Sequence, residues 1–230
     1  EALVILKRKK LGKFVVLKGR EIDFNRKDFD IKKHFNTTLV QSSDNYIFNK
    51  SILDNYVTKK SVVHDIFVRD MILASIAIKY AQSNSVSLAL NGQVIGIGSG
   101  QQNRLDCVRL ACEKALMWCL RHDSEVNKLF KTSLAVNKKI SPQERLSLFY
   151  KYIRDDLPVD VRERVQRDMR GISLSSDGFI PFSDNIDEAV KYGVSHIVNP
   201  GGSTRDADVI EVCDKYGLVM AHTGKRLFFH

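Results

Sequence analysis

The chain has 230 residues, and its 36 Lys and Arg residues outnumber the 27 Asp and Glu residues, which gives a formal net charge of +9. Hydrophobic residues make up 43% of the sequence and charged residues 27%, a balance that indicates a globular protein and excludes a disordered or fibrous one. No apolar run reaches the roughly 18 residues of a membrane span, and no signal-peptide pattern opens the sequence, so we expect no membrane partner.

The first part of the chain is predicted to contain the end of a helix, a strand and a loop-rich stretch, at residues 2–10, 13–18 and 19–60. Apolar spacing then predicts a helix over 64–81 with one buried side. Asn91-Gly92 separates two apolar runs and predicts a hairpin of strands 85–90 and 93–97, because both turn residues tolerate a positive φ.

A helical region follows the hairpin, with helices predicted at 103–120, 142–154 and 158–169. Ser141 stands just before Pro142, and Glu144 follows three residues later, which predicts a capping box at the second of these helices. The segment 123–170 is charged and poor in turns. We therefore interpret it as a helical linker or insertion between two α/β pieces.

The C-terminal part alternates between strands and helices. Strands are predicted at 172–176, 194–198 and 217–222, with helices between them at 185–192 and 205–216. Such alternation predicts an α/β sandwich in which at least part of the sheet is parallel.

The basic surplus is compatible with two classes of partner. Lys and Arg residues can bind nucleic acid, and they suit phosphorylated or polycarboxylate small molecules equally well. The interleaved basic and aromatic stripe of an RNA-binding module is not visible in the sequence. We therefore expect no nucleic-acid partner, and a basic RNA-associated α/β protein remains a third interpretation, based on charge alone.

The cysteines show no disulfide or zinc signature. They lie in apolar, helix-like stretches without a C-x-x-C pair, at Cys107, Cys112, Cys119 and Cys213. This pattern predicts reduced, mostly buried thiols. It favours a cytoplasmic protein, because disulfides persist mainly in oxidising compartments.

Two glycine-containing segments precede predicted helices. In 96–104 (Gly-Ile-Gly-Ser-Gly-Gln-Gln-Asn-Arg) the glycines either let the backbone approach an anionic ligand or only form a tight turn, and the spacing leaves both open. In 199–205, Ser203 or Thr204 is predicted as the helix N-cap, with Asp206 favourable in the first turn. Anion or amide recognition by the same loop is compatible with capping.

Two aromatic segments need an explanation. Phe179 and Phe182 follow a predicted strand, so we expect them either to pack inward or to clasp a flat ligand. The tail 225–230 places Arg226 beside two Phe residues, which predicts a packed tail where chain ends usually fray. The six histidines show no metal-ligand spacing.

Five segments, in order, resemble one family. They are Gln-Ser-Asn-Ser-Val, Asn-Gly-Gln-Val-Ile-Gly-Ile-Gly-Ser-Gly-Gln-Gln-Asn-Arg, Ser-Asp-Gly-Phe-Ile-Pro-Phe-Ser-Asp-Asn, Pro-Gly-Gly-Ser and Arg-Leu-Phe-Phe-His, at 82–86, 91–104, 176–185, 200–203 and 226–230. They are similar to the AICAR transformylase domain, the C-terminal part of the bifunctional purine biosynthesis enzyme that also carries IMP cyclohydrolase. The resemblance spans nearly the whole chain.

The resemblance implies a fold and an activity. The fold is an α/β, cytidine-deaminase-like three-layer sandwich without zinc, plus a helical linking segment. Residues 1–62 would be the tail of a first transformylase subdomain with its connecting segment, and residues 63–230 a second subdomain with an insertion at about 123–170. The activity is formyl transfer from 10-formyltetrahydrofolate to the 5-amino group of AICAR, in a cytoplasmic homodimer with shared active sites.

The resemblance also implies roles for single residues. For AICAR it assigns Asn84 as the catalytic residue near the reacting amine, Arg104 and Arg226 as nucleotide ligands, and Phe179 as an aromatic that reaches the base from the partner subunit. For the reduced folate it assigns Leu105, Asp184, Ser203 and Thr204. For a potassium ion it assigns oxygen ligands from Ser83, Ser85, Asp177 and the carbonyl of Leu227. Ala81 departs from the potassium-binding pattern, because members with that site have Thr there.

One departure bears on catalysis. The family's catalytic Lys-His pair belongs to an upstream motif that this sequence does not contain. Lys33-His34 is also a Lys-His pair, but its neighbouring residues differ from that motif, so we do not interpret it as the catalytic pair. Because the sequence begins at Glu1, we expect a fragment or a processed product that supplies the C-terminal half of the active site and is inactive alone. The alternative is a catalytically incomplete module that binds nucleotide and folate.

Overall fold

The structure, a computed structural model, describes residues 2–17, 19, 29–42, 46–133 and 140–228. Contacts divide the chain into two units, Glu1–Ile47 and Phe48–His230. The stretch after residue 47 is hydrogen-bonded within the second unit. Val57 N–H donates to the Met220 carbonyl at 2.9 Å, and Met220 N–H donates to Thr58 Oγ1 at 2.9 Å.

The first unit contains one short helix and one hairpin. Helix α1 (Ala2–Arg8) continues into a 3₁₀ turn at Lys9–Gly12, and strands β1 (Phe29–His34) and β2 (Thr37–Ser42) pair antiparallel. The strand predicted at 13–18 is wrong for its described residues, 13–17, which are irregular and have no pairing strand in the described part of the unit. A β-forming composition alone does not make a strand without a neighbour to pair with.

The second unit is built around a five-stranded mixed sheet. Its strands are β3 (Ser85–Leu90), β4 (Gln93–Ser99), β5 (Ile172–Ser176), β6 (Val194–Asn199) and β7 (Val219–His222). The order is β4-β3-β5-β6-β7; β3 runs antiparallel to both of its neighbours, and β5, β6 and β7 are parallel. The predicted α/β class with a partly parallel sheet and the predicted hairpin are confirmed, with Asn91 and Gly92 both at positive φ (52° and 80°).

Helices cover both faces of this sheet. Helix α2 (Asp65–Lys79) lies on one face, where Ser87 Oγ donates to the Ala74 carbonyl at 2.6 Å. Helix α3 (Arg104–His122) packs on the other face, which carries the main apolar core. Both faces of the central strands are therefore buried, which explains why these strands are nearly continuous runs of buried residues.

Glycines in β4 let helix α3 lie unusually close to the sheet. A Cβ at Gly96 or Gly98 would overlap the backbone carbonyl of Ala111 or Cys107 in α3. Gly96 and Gly98 therefore serve the close approach of the α3 backbone, which the sequence did not predict.

Three helices form an insertion between α3 and β5. They are α4 (Ser124–Ser133), α5 (Pro142–Asp155) and α6 (Val159–Asp168). The capping box at α5 is confirmed, since Ser141 N–H donates to Glu144 Oε2 at 2.7 Å and Glu144 N–H donates to Ser141 Oγ at 3.2 Å. Because α3 and β5 belong to the same unit, the segment is an insertion and not a linker between two α/β pieces. In the described part of the chain, no helix is long and apolar enough to cross a membrane.

Helices α7 (Asp184–Val190) and α8 (Asp206–Lys215) complete the face that α3 covers. All four cysteines are free thiols, and Cys107, Cys112 and Cys213 are buried, as the sequence predicted. Burial raises the pKa of Cys213 to about 12 and that of the half-buried Cys119 to about 11. These thiols are therefore protonated at neutral pH.

His196 makes the stability of the sheet pH-dependent. The side chain is 5% exposed, its ring stacks on Phe67 with centroids 4.2 Å apart, and burial and the charge of Lys60 lower its pKa to about 4. The unfolded chain therefore binds a proton at a pH where the folded chain does not. The stability contributed by neutral His196 is present above pH 6.5 and is lost as the pH falls toward 4.

We expect this effect to lower the free energy of unfolding by about 2 kcal/mol between about pH 7 and about pH 5. Urea denaturation of the wild type and of His196→Gln, across that range, measures it. The variant should lose most of the slope, whereas the exposed His34→Gln should keep it. Equal slopes in all three proteins would assign the acid sensitivity to other groups.

Candidate functional site

Several loops with polar, glycine and aromatic residues lie at one end of the sheet. Strand β3 begins where β5 ends, because the two are antiparallel and Val86 pairs with Ser176. The loops that follow the parallel strands β5 and β6 emerge at this same end, together with the loop that leads into α3. In open α/β sheets, ligands bind outside the carboxyl ends of the strands, so this end is where a site is expected.

The largest feature there, which we term the main cleft, has a volume of about 460 Å³. Four segments line it: Ser83 and Asn84 before β3, Gln102 to Arg104 at the start of α3, Gly178, Phe179 and Pro181 after β5, and Arg226 and Phe228 in the tail. A cleft of this size suits a small organic ligand. It brings together all four residues that the resemblance assigns to AICAR: Asn84, Arg104, Phe179 and Arg226.

Two arginines give the main cleft its charge. Arg104 is 8% exposed at its side chain; its Nη1 donates to the Ser85 carbonyl at 3.1 Å and forms an ion pair with the fully buried Asp177. Its positive charge is therefore compensated within the protein. Arg226 is exposed and forms no ion pair with another described residue. It leaves the cleft with an uncompensated positive charge, which favours an anionic ligand.

Asn84 is fixed by the loop that precedes α3. Its Nδ2 donates to the Gln101 carbonyl at 3.0 Å and to the Gln102 carbonyl at 3.4 Å, and the Cys107 thiol donates to the Asn84 carbonyl at 3.0 Å. Helix α2 ends earlier, at Lys79, so Asn84 does not cap it. The side-chain hydrogen bonds that the structure gives Asn84 use only its nitrogen, so its Oδ1 is the atom available to a ligand donor.

The aromatic side chains of the loop after β5 do not pack inward. Phe179 is 38% exposed and Phe182 is 50% exposed, which leaves the alternative in which they clasp a flat ligand. Phe179 lines the main cleft of its own chain. The tail beside it is anchored as predicted, because Leu227 is buried and its N–H donates to the Asp177 carbonyl at 2.9 Å. Residues 229 and 230 lie outside the described residues.

A second pocket of about 270 Å³ adjoins the main cleft and shares Phe179 and Pro181 with it. Its other lining residues are Phe182, Gly202, Ser203, Thr204 and Arg205. It thus contains two of the four residues that the resemblance assigns to folate. The other two, the half-buried Leu105 and the exposed Asp184, do not line either of these pockets in the described part of the chain.

The loop after β6 differs from its prediction. Helix α8 begins at Asp206, and its N-cap is Arg205, which makes no side-chain capping bond, so the prediction of Ser203 or Thr204 as N-cap is wrong. Ser203 Oγ instead accepts from Arg205 N–H at 3.1 Å. Asp206 lies in the first turn as predicted, and its Oδ2 accepts from the N–H groups of Gly202 (2.7 Å) and Ser203 (3.2 Å). A carboxylate of the protein thus occupies the amides that an anion would use.

Buried oxygen atoms lie behind the main cleft. Ser85 Oγ and Asp177 Oδ2 are buried and have no hydrogen-bond partner among the described residues. Asp177 N–H donates to the Ser85 carbonyl at 3.2 Å, and Leu227 N–H donates to the Asp177 carbonyl, so three of the four residues assigned to potassium are joined by backbone bonds. The fourth, Ser83, lines the cleft itself.

Sequence reasoning missed several lining residues, namely Gln102, Asn103, Gly178, Pro181, Phe228 and Arg205. Each of them lies within two residues of an assigned one. A loop that approaches a ligand usually contributes consecutive residues, and that signal was available.

Together, the fold and the cleft define an α/β protein with a cationic, aromatic-walled cleft at one end of its sheet. A family model described as AICARFT/IMPCHase bienzyme matches residues 1–114. The bifunctional purine biosynthesis protein PurH of Clostridioides difficile (strain 630) is 31% identical over 230 residues, which cover 100% of this chain and 34% of that protein. PurH of Lactococcus lactis subsp. lactis (strain IL1403) is 31% identical over 235 residues, and that of subsp. cremoris (strain MG1363) 32%.

The chain is therefore similar over its whole length to these bifunctional purine biosynthesis proteins, and over residues 1–114 to the AICARFT/IMPCHase bienzyme family. It spans about a third of the length of the relatives it matches (34% and 35%).

Proposed function

We propose that this chain provides the AICAR and folate sites of an enzyme of purine biosynthesis that transfers a formyl group from 10-formyltetrahydrofolate to the 5-amino group of AICAR. The observation that supports this most is the convergence of Asn84, Arg104 and Arg226 on one cleft. These residues come from three separate segments of the chain, and the resemblance assigns all of them to the same ligand.

The chemistry of the cleft matches the parts of AICAR. Its phosphate requires a cation, and Arg226 offers a guanidinium fork that can donate two parallel hydrogen bonds to phosphate oxygens. Its flat imidazole ring suits the exposed face of Phe179. Its amine requires an acceptor, and Oδ1 of Asn84 can serve. The reduced folate would occupy the second pocket, which shares the wall of Phe179 and Pro181 with the cleft.

Formyl transfer needs a proton acceptor, which the described lining of the cleft does not provide. The amine nitrogen attacks the formyl carbon, the bond from that carbon to N10 of the folate breaks, the amine loses a proton and N10 gains one. The described lining of the main cleft contains no Asp, Glu, His, Lys or Cys side chain that could accept the proton. This supports the proposal that the chain forms one half of the active site. The alternative, a binding module without chemistry, rests on the same observation.

Two further features belong to the proposal. We propose a homodimer with shared active sites and a cytidine-deaminase-like subdomain; exposed Phe179 and Phe182 are suited to a shared site.

We also propose that potassium is held by Ser83, Ser85, Asp177 and the Leu227 carbonyl. The two buried oxygens without a hydrogen-bond partner, Ser85 Oγ and Asp177 Oδ2, fit such an ion. When bound, the ion would supply positive charge beside Asp177 and fix the backbone that carries Arg226.

Replacing Arg226 tests the nucleotide assignment. Arg226→Ala should weaken AICAR binding by about 10- to 100-fold, because a charged hydrogen bond contributes about 1.5–3 kcal/mol. The binding of a reduced folate should change little. Isothermal titration calorimetry of both ligands measures this, with Arg167→Ala, on the exposed side of α6, as the matched loss of charge. Equal losses for AICAR and the folate would place Arg226 elsewhere.

A further inference from the structure

Arg205 is the charged residue in the described lining of the second pocket. Its guanidinium carbon lies 5.0 Å from the centre of the Phe182 ring, which places the charged group against the pocket wall. Arg205 is exposed and forms no ion pair with another described residue.

The groups around Arg205 leave its charge available to a ligand. The nearest acid in sequence, Asp206, accepts from the N–H groups of Gly202 and Ser203. Asp184 accepts from Asn185 Nδ2 at 2.8 Å, and Asp187 accepts from the Tyr216 hydroxyl at 2.8 Å. Since the N–H groups of Gly202 and Ser203 are already occupied, an anion that enters this pocket has the guanidinium of Arg205 as its charged donor.

We propose that Arg205 is a specificity-determining residue that binds the carboxylates of the glutamate tail of the reduced folate. This inference rests on the proposed function and assigns one part of the co-substrate to one side chain. A reduced folate is an extended molecule with flat rings at one end and a dicarboxylate at the other. Its rings match the wall of Phe179 and Pro181, and Phe182 continues that wall to Arg205. A carboxylate then meets a guanidinium fork, which binds it with two parallel hydrogen bonds.

Binding measurements on the 230-residue chain test the inference with two probes. The first probe is 5-formyltetrahydrofolate, which carries the glutamate, and the second is the corresponding 5-formyltetrahydropteroyl amide, in which a neutral carboxamide replaces the glutamate. Arg205→Gln should weaken binding of the first probe about 5- to 20-fold, the range of an exposed to half-buried charged hydrogen bond. It should leave the second probe and AICAR unchanged. Arg205→Lys should recover part of the loss, because it restores the charge without the fork, and Arg167→Gln should lose nothing.

The outcomes separate this inference from the proposed function. If the wild-type chain binds neither AICAR nor the folate probe, the proposed function is wrong. If the wild type binds both and Arg205→Gln binds the glutamate probe equally well, the role of Arg205 is wrong. An equal loss for the two folate probes also overturns it, because the amide probe has no carboxylate for Arg205 to bind. A circular-dichroism melt identifies any variant that fails to fold, and Arg205→Met, which keeps the aliphatic stem without the charge, then provides a second variant that should weaken only the glutamate probe.

Discussion

The 230-residue chain alone should catalyse formyl transfer about 10²- to 10⁴-fold more slowly than a protein that adds a general base at the reacting amine. The physical reason is the composition of the main cleft, whose described lining binds and orients but has no proton acceptor. Without a base, the attacking amine keeps its proton and the positive charge that develops on it is not relieved. Formation of tetrahydrofolate from AICAR and 10-formyltetrahydrofolate, followed by absorbance, measures the rate against a complete bifunctional enzyme.

Binding data keep this result interpretable. The chain should bind AICAR in calorimetry and melt cooperatively, so that a low rate reflects missing chemistry and not an unfolded protein. Turnover close to that of the complete enzyme would contradict the half-site proposal. Lys33 and His34, which lie at the end of β1, would then be the first candidates for the base, and Lys33→Ala and His34→Ala would test them.

The elements predicted correctly are those that local interactions determine. The hairpin at Asn91-Gly92 follows from two residues that tolerate positive φ, and the start of α5 follows from the reciprocal bonds of Ser141 and Glu144. The C-terminal strands follow from short apolar runs bounded by polar turns. In each case the signal lies within a few neighbouring residues.

The wrong predictions concern segments whose structure is determined by distant or competing contacts. Segment 13–18 has a strand-like composition, but its described residues have no pairing strand in their unit. The hairpin of β1 and β2 was hidden because many of its side chains are polar and nearly all are exposed, so no buried period of two marks it. At α8, Ser203 and Thr204 are good capping residues, but the Asp206 carboxylate binds the loop amides and the helix begins later.

The segments that form the candidate site could be predicted from the sequence, but the positions of their side chains relative to one another could not. The ion pair of Arg104 with Asp177 joins residues that lie on different elements, so composition did not reveal that this arginine is neutralised and that Arg226 is not. Similarly, the spacing of the glycines in 96–104 left a ligand site and a tight turn open, whereas the role of Gly96 and Gly98 depends on how closely α3 approaches β4. Both facts depend on tertiary packing, which spacing along the chain does not encode.

Asn84→Ala, in a protein that supports turnover, should lower kcat by about 10²- to 10³-fold with a smaller change in the KM for AICAR. Nδ2 of Asn84 is held by the Gln101 and Gln102 carbonyls, so Oδ1 is the atom that can accept from the amine as positive charge develops on it. A contact that strengthens in the transition state affects kcat more than binding.

Asn84 also fixes the loop before α3 through its side-chain hydrogen bonds, and the loss of that structural role can be measured as a lower stability. Losing its two hydrogen bonds should cost about 1–2 kcal/mol of stability and lower the melting temperature. Asn84→Asp separates the two roles, because its carboxylate keeps an acceptor oxygen and loses the donor to the loop. If Oδ1 acts on the amine, the Asp variant should melt as low as the Ala variant and still retain more of its kcat. A lower melting temperature in both variants with kcat unchanged would mean that Asn84 only fixes the loop.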